Sequence, residues 1–191
     1  YLLGTLLQKV SKGPDNIEEV VAAGGVVNII NAITDHSDDK QIVILALSSL
    51  SKISMVETGA SILANEHYIA VLNDSIHNFS SNDKIGKLVA DVLTNTIQNE
   101  KRADTGNHVR FFSSCFRLLV DLFELYVTNQ AVTGIVLSSM DHLVYSGADV
   151  DKLANTGDCL YRYSEYLSKL ETNSNPHKHG TSMLKLLLDS G

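Results

Sequence analysis

Residues 16–30 read NIEEVVAAGGVVNII: a short apolar segment ends in Ala-Gly-Gly, and a second apolar segment starts at once. After a polar turn at 37–39, apolar residues recur at i, i+3, i+4 spacing between Ile42 and Ile53, which predicts a third helix. Two adjacent glycines allow a sharp bend with close backbone approach, because neither carries a Cβ. The predicted order is short helix, glycine bend, long helix, polar turn, long helix.

The apolar pattern of the third helix recurs along the chain. Apolar residues occur at the matching positions 43 residues later and again 47 residues after that. The first set is Ile42, Leu45, Ala46 and Leu50; the second is Ile85, Leu88, Val89 and Leu93; the third is Val132, Ile135, Val136 and Met140. A further copy precedes this set and a degraded one follows it, and the preceding helix repeats at the same spacing. A period of ~40–47 residues is typical of stacked helical repeats. A plain helix bundle is the alternative, but it does not require a fixed period in two separate helices.

Helix boundary signals agree with this organisation. Gly13 followed by proline predicts the end of the first helix. Asp15 with Glu18 and Asp38 with Gln41 have the spacing of capping boxes. The first pair predicts the N-terminal cap of the short helix that follows Gly13, and the second predicts the cap of the helix at Ile42–Ile53.

The short helix, Gly-Gly bend and two longer helices resemble the armadillo family over essentially the whole chain. The resemblance implies an all-α, right-handed α-solenoid of about four armadillo/HEAT-like repeats. His67-Tyr68 stands where the second copy would carry its glycines, which leaves open whether the later copies are of the armadillo or the HEAT kind. The predicted organisation is a single domain over 1–191, with 1–13 as the last helix of a preceding repeat and repeats at 14–55, 56–99, 100–145 and 146–191.

The repeated apolar positions predict a core between the helical layers. Its predicted members are Leu2, Leu3, Leu6, Leu7, Leu45, Ala46, Leu50, Leu88, Val89, Leu93, Val136 and Met140. Each repeat must bury its apolar face on a neighbour, and complete solenoids have polar outer faces at their ends. We therefore expect further repeats or another subunit at one or both ends.

Composition bears on the kind of partner. The formal charge is −7, and no run of Lys or Arg occurs, which argues against nucleic acid as the main partner. No apolar run approaches the ~18 residues of a membrane span, so no direct membrane insertion is expected. Cys115 and Cys159 fall on apolar faces, which predicts buried free thiols and a cytoplasmic protein.

The sequence has no strong catalytic or metal-binding pattern. The sequence contains no Gly-rich phosphate loop, nucleophile elbow, paired-histidine zinc helix or calcium loop. His177 and His179 alternate in a polar loop but lack a third ligand. We therefore expect neither an enzyme nor a bound metal or cofactor.

In the armadillo family, third helices line a concave groove that holds extended or helical partner segments. Carried over residue by residue, the resemblance implies a partner-binding groove at Lys9, Leu45, Ser49, Lys52, Leu88, Val92, Asn95, Ile135, Ser139 and His142. Nuclear-import receptors of this family use Trp and Asn at two of these positions in each repeat. This chain has no Trp and carries Ser49, Val92 and Ser139 at the asparagine position, which disfavours binding of nuclear signals.

The resemblance thus predicts a non-enzymatic protein–protein interaction scaffold that binds an extended or helical segment of another protein along the groove. The alternative is a structural segment of a larger cytoskeletal, axonemal or trafficking assembly. The first predicts a monomeric fragment on purification, whereas the second predicts constitutive association.

Overall fold

The computed structural model describes residues 2–99, 107–145 and 159–168, together with 178, 180, 181, 184 and 185. The described residues lie in helices and the turns that join them, with no strand among them, which confirms the all-α class. The chain forms two compact units, 1–103 and 104–191, and each is described by itself. The prediction of a single domain remains a prediction.

The described part of the first unit is a series of helices joined by short turns. They are α1 (Leu2–Val10), α2 (Pro14–Ala22), α3 (Gly25–Asp35), α4 (Lys40–Ile53), α5 (Glu57–Leu63), α6 (Glu66–Asn78) and α7 (Asp83–Asn99). Helices in equivalent positions of successive copies contact each other: α1 contacts α4, α4 contacts α7, α2 contacts α5, and α3 contacts α6. Within a copy, α4 packs on α3, and α7 packs on both α5 and α6.

The glycine bend between α2 and α3 is present as predicted. Gly24 has φ 74°, in the left-handed region that side chains avoid, and the two helices meet at 75°. A Cβ on Gly25 would lie 2.7 Å from the carbonyl oxygen of Val20, so the close approach also requires a glycine. The second copy also has a short first helix, α5, but no Gly-Gly bend follows it. Asn65 instead caps α6 by accepting the His67 N–H at 2.9 Å. The first two copies therefore both have three helices.

Both predicted capping boxes are wrong by one position or more. The cap of α4 is Asp39, whose side chain accepts the N–H groups of Gln41 and Ile42 at 2.9 and 3.2 Å. Helix α2 begins at Pro14, before Asp15, and its start has no side-chain cap. Proline suits the first helical position because its φ is already helical and its missing N–H needs no partner.

Removing the Asp39 cap is expected to destabilise the first unit. Asp39→Ala leaves two N–H groups at the start of α4 without their carboxylate and should cost about 0.5–2 kcal/mol in the free energy of unfolding. Urea denaturation followed by circular dichroism measures the loss. Asp38→Ala is the matched control, and an equal loss in both variants would contradict the assignment of Asp39 as the cap.

Half of the predicted core residues are fully buried. Ala46, Leu50, Val89, Leu93, Val136 and Met140 are all fully buried, whereas Leu3, Leu6, Leu7, Leu45 and Leu88 are half-buried. The prediction for Leu2 is wrong, because its side chain is 75% exposed. Leu2 lies 43 residues before Leu45, on the side of the repeated helix that faces away from the core.

The described part of the second unit contains α8 (Asn107–Leu125), α9 (Gln130–Tyr145) and α10 (Cys159–Leu167). Helix α8 contacts both α9 and α10. The core of the second unit includes Phe116, Phe123 and Tyr163, and the ring centroids of Phe123 and Tyr163 lie 5.5 Å apart. The turn before α9 is capped by Asn129, which accepts the N–H groups of the two residues Ala131 and Val132. Most of the repeat predicted at 146–191 lies outside the described residues.

Candidate protein-binding surface

Helices α1, α4 and α7 share a common register in the first unit. Val10, Ile53 and Thr96 are spaced by 43 residues, and their side chains are 1%, 0% and 1% exposed. The three helices are also neighbours, since α4 contacts both α1 and α7. Equivalent positions on these helices can therefore be compared row by row.

Three rows of the register stay open to solvent and define what we call the exposed strip. The leucine row consists of Leu2, Leu45 and Leu88; the middle row consists of Thr5, Ser48 and Asp91; and the lysine row consists of Lys9, Lys52 and Asn95. The α1 members and Lys52 are exposed, and the others are half-buried. Spacings of three and four residues place the rows on one helical face. Seven residues separate the outer rows, which corresponds to about 10.5 Å along each helix.

Three predicted groove residues are buried instead. Ser49, Val92 and Ser139 are 0%, 0% and 1% exposed, so these three cannot line a surface groove. The hydroxyl groups of Ser49 and Ser139 donate to backbone carbonyls of their own helices at 3.0 and 2.8 Å. One residue along a helix rotates the side chain by about 100°, and this turns position 49 from the open face of Ser48 toward the neighbouring helices.

The predicted lysines are at the surface. Lys9 Nζ forms an ion pair with Glu19 Oε2 at 2.8 Å, with the two side chains 47% and 67% exposed. The hydrogen bond from Lys9, together with its charge, lowers the pKa of Glu19. Such an exposed pair is weak and leaves the ammonium accessible. Among the described residues Lys52 has no ion-pair partner.

Asn95 has a structural role that the sequence did not indicate. Its Nδ2 donates to the Ser51 carbonyl at 3.3 Å and to Ser54 Oγ at 3.2 Å, and Asn99 Nδ2 donates to the Ser54 carbonyl at 3.3 Å. These bonds tie α7 to the end of α4 and satisfy carbonyls that a helix terminus leaves without partners. One sequence signal indicates the bonds between α7 and α4: the pair Asn95 and Asn99 follows the serine-rich end of α4 by about one repeat.

The remaining predicted groove residues lie on α9 of the second unit. Ile135 and His142 are half-buried and stand 47 residues after Leu88 and Asn95. They occupy the corresponding positions of the repeat pattern, seven residues apart on one face. Their place in a partner-binding surface stays a prediction.

A charged cluster in the second unit is used internally. Arg162 on α10 donates to Asp121 on α8 at 2.7 Å and also to Glu124. Burial opposes the charge of Arg162, but the two carboxylates outweigh it and raise its pKa. This cluster joins two helices of the unit.

Other candidate sites in the described residues are weak. Cys115 is a buried free thiol, as predicted, and burial raises its pKa well above the usual range, which makes it unreactive. A cavity of about 370 Å³ lies between α3 and α6, with His67 and Asp74 among its lining residues. The described residues contain no group of three or more His, Cys, Asp or Glu side chains placed to hold a metal. His177, His179 and the Cys159 side chain lie outside the described residues.

None of the described helices is by itself a candidate membrane span. No single one of them combines the length and the apolar character that crossing a bilayer requires. Taken together, the bent pair α2 and α3 meets this criterion by length and composition only.

No protein-family model, no curated protein and no solved structure matches this chain.

Proposed function

We propose that the chain is an α-solenoid of about four armadillo/HEAT-like repeats and acts as a non-enzymatic protein–protein interaction scaffold. Contacts between equivalent helices in successive copies, from α1 to α4 to α7, support the solenoid arrangement. Stacked repeats present an extended surface rather than a pocket, which suits the binding of a partner segment.

The observation that carries this proposal is the exposed strip. Each of the helices α1, α4 and α7 carries an open leucine, and a polar residue follows it seven positions later. That residue is lysine in α1 and α4 and asparagine in α7. Apolar contacts at Leu45 and Leu88 would supply most of the affinity, because an exposed ion pair contributes only about 0–1 kcal/mol. Lys9 and Lys52 would orient the partner and speed its association.

The alternative function, a structural segment of a cytoskeletal, axonemal or trafficking assembly, is favoured by the outer helix α1. Leu6 and Leu7 are only half-buried, although the equivalent Ser49 and Leu50 of α4 are fully buried. Covering α1 with another repeat or subunit would complete their burial. Size-exclusion chromatography with light scattering separates the two functions, since constitutive association favours the assembly segment and a monomer favours the scaffold.

Reversing the two lysine charges is expected to weaken partner binding modestly. An exposed ion pair contributes about 0–1 kcal/mol, so the double variant Lys9→Glu, Lys52→Glu should lose affinity by a small factor and show a weaker salt dependence. The partner is first identified by affinity capture and mass spectrometry, and its affinity is then measured by calorimetry at low and high salt.

The control for this experiment is Arg117→Glu, at an exposed position of α8 outside the strip. It should leave the affinity unchanged. If the double reversal has no effect and Arg117→Glu abolishes binding, the partner occupies another surface and the proposed site is wrong.

The proposed location is the cytoplasm, and the support is the buried free thiol of Cys115. Free buried cysteines are common in proteins of reducing compartments. Fluorescence microscopy of the tagged protein tests this location.

A further inference from the structure

The leucine row sets a repeat distance for whatever covers it. Leu2, Leu45 and Leu88 lie on three helices of which each contacts the next, and packed helices are about 8–10 Å apart. We take this separation of the helix axes as the spacing of the leucines, so apolar side chains of a partner would recur at about 8–10 Å along the strip to meet each leucine in turn.

Among regular peptide conformations, polyproline II matches this distance best. It has three residues per turn and a rise of about 3.1 Å, so every third side chain returns to the same side after about 9.3 Å. A β-strand returns to the same face after about 6.6 Å and again after about 13 Å, and both values miss the row. An α-helix needs seven residues, about 10.5 Å, and its face drifts by about 20° at each step.

The charges beside the leucine row indicate the other residues of the partner. Lys9 and Lys52 stand on the same side of the row in a chain of formal charge −7. Asp91 is the acidic member of the strip, and it forms an ion pair with Lys87, whose Nζ lies 2.7 Å from Asp91 Oδ2. Asn95 carries no charge, and the exposed pair of Lys9 with Glu19 is weak. Charge complementarity therefore favours acidic residues in the turns of the partner that face Lys9 and Lys52.

We propose that the exposed strip binds a polyproline II segment of another protein, with an apolar residue at every third position and acidic residues in the turns that face Lys9 and Lys52. This inference rests on the proposed function and specifies the partner that the strip accepts. The apolar residues pack on Leu2, Leu45 and Leu88, while the acidic residues face the lysine row.

The test uses a fluorescein-labelled synthetic peptide of three Leu-Pro-Glu units and the whole chain, with fluorescence anisotropy as the readout. A proline after each leucine favours the extended conformation that the inference requires. Two comparison peptides keep the numbers of Leu and Glu: one places leucine at every second position, and a longer helical one places it at every seventh. The first peptide should bind at least about tenfold more tightly than either, a difference of about 1.4 kcal/mol.

Matched variants place the peptide on the leucine row. Leu2 is 75% exposed, so Leu2→Ser should leave the fold intact and weaken peptide binding about threefold to tenfold, the factor expected from partial loss of one apolar contact. Leu45→Ser should weaken it by at least as much. Val27→Ser, at a 46% exposed position of α3 outside the strip, should have no effect.

Three outcomes would overturn the inference: equal binding of all three peptides, tighter binding of the helical peptide, or affinities unaffected by Leu2→Ser and Leu45→Ser. Failure of the inference can be told from failure of the proposed function. If the captured natural partner is sensitive to Lys9→Glu, Lys52→Glu but the Leu-Pro-Glu peptide does not bind, the scaffold stands and the polyproline II segment is excluded. If neither responds to changes in the strip, both proposals are wrong.

Discussion

Leu50→Ala is expected to destabilise the first unit by about 2–5 kcal/mol, the range for a leucine truncated in a well-packed core. Leu50 is 0% exposed, and its helix α4 contacts α1, α3 and α7, so the surrounding side chains have little freedom to fill the cavity. Urea denaturation should show a lower midpoint with an unchanged m-value, because the surface exposed on unfolding stays nearly the same.

Leu45→Ala is the matched control, since it removes the same atoms from the same helix at a half-buried position of the leucine row. Its cost should stay below about 1.5 kcal/mol, because part of the side chain is already in water. Equal losses at Leu50 and Leu45 would contradict the placement of the core on one side of α4.

Gly59→Ala should have the second largest effect and destabilise the same unit by about 1–3 kcal/mol. A Cβ at this position would collide with the carbonyl oxygen of Ile53 and with its side chain, at the end of α4. The carbonyl is backbone and cannot rotate away, so α5 would have to move off α4. Thermal unfolding followed by circular dichroism measures the shift.

Gly4→Ala is the control for Gly59→Ala. It tests whether the loss of stability comes from the collision with Ile53 or from replacing any helical glycine by alanine. A Cβ on Gly4 has no atom within 4 Å, and Gly4 lies inside α1. Alanine should therefore stabilise the unit by about 0.5–1 kcal/mol, because it reduces the freedom of the unfolded chain. If both Gly59→Ala and Gly4→Ala stabilise the protein, the description of a close contact between α5 and the end of α4 is wrong.

Part of the candidate site could be found from sequence. Lys9 and Lys52 follow core leucines by two residues, and this spacing alone places them outside the core, where the structure has them. Ser49 and Ser139 are predicted to line the groove because the resemblance is carried over position by position. Each hydroxyl instead donates to a carbonyl of its own helix, and a serine satisfied in this way can be buried.

The sequence by itself determined the local structure: the order of the helices, the bend at Gly24-Gly25 and the period near 43 residues. These features depend on the spacing of apolar side chains and on backbone freedom, which act within one or two helical turns. Only the tertiary structure decided which side of each helix is covered. Burial at Leu50, exposure at Leu2 and the bond from Asn95 to Ser54 all depend on neighbours about 40 residues away. A sequence pattern identifies an apolar face, but packing decides how much of that face loses its water.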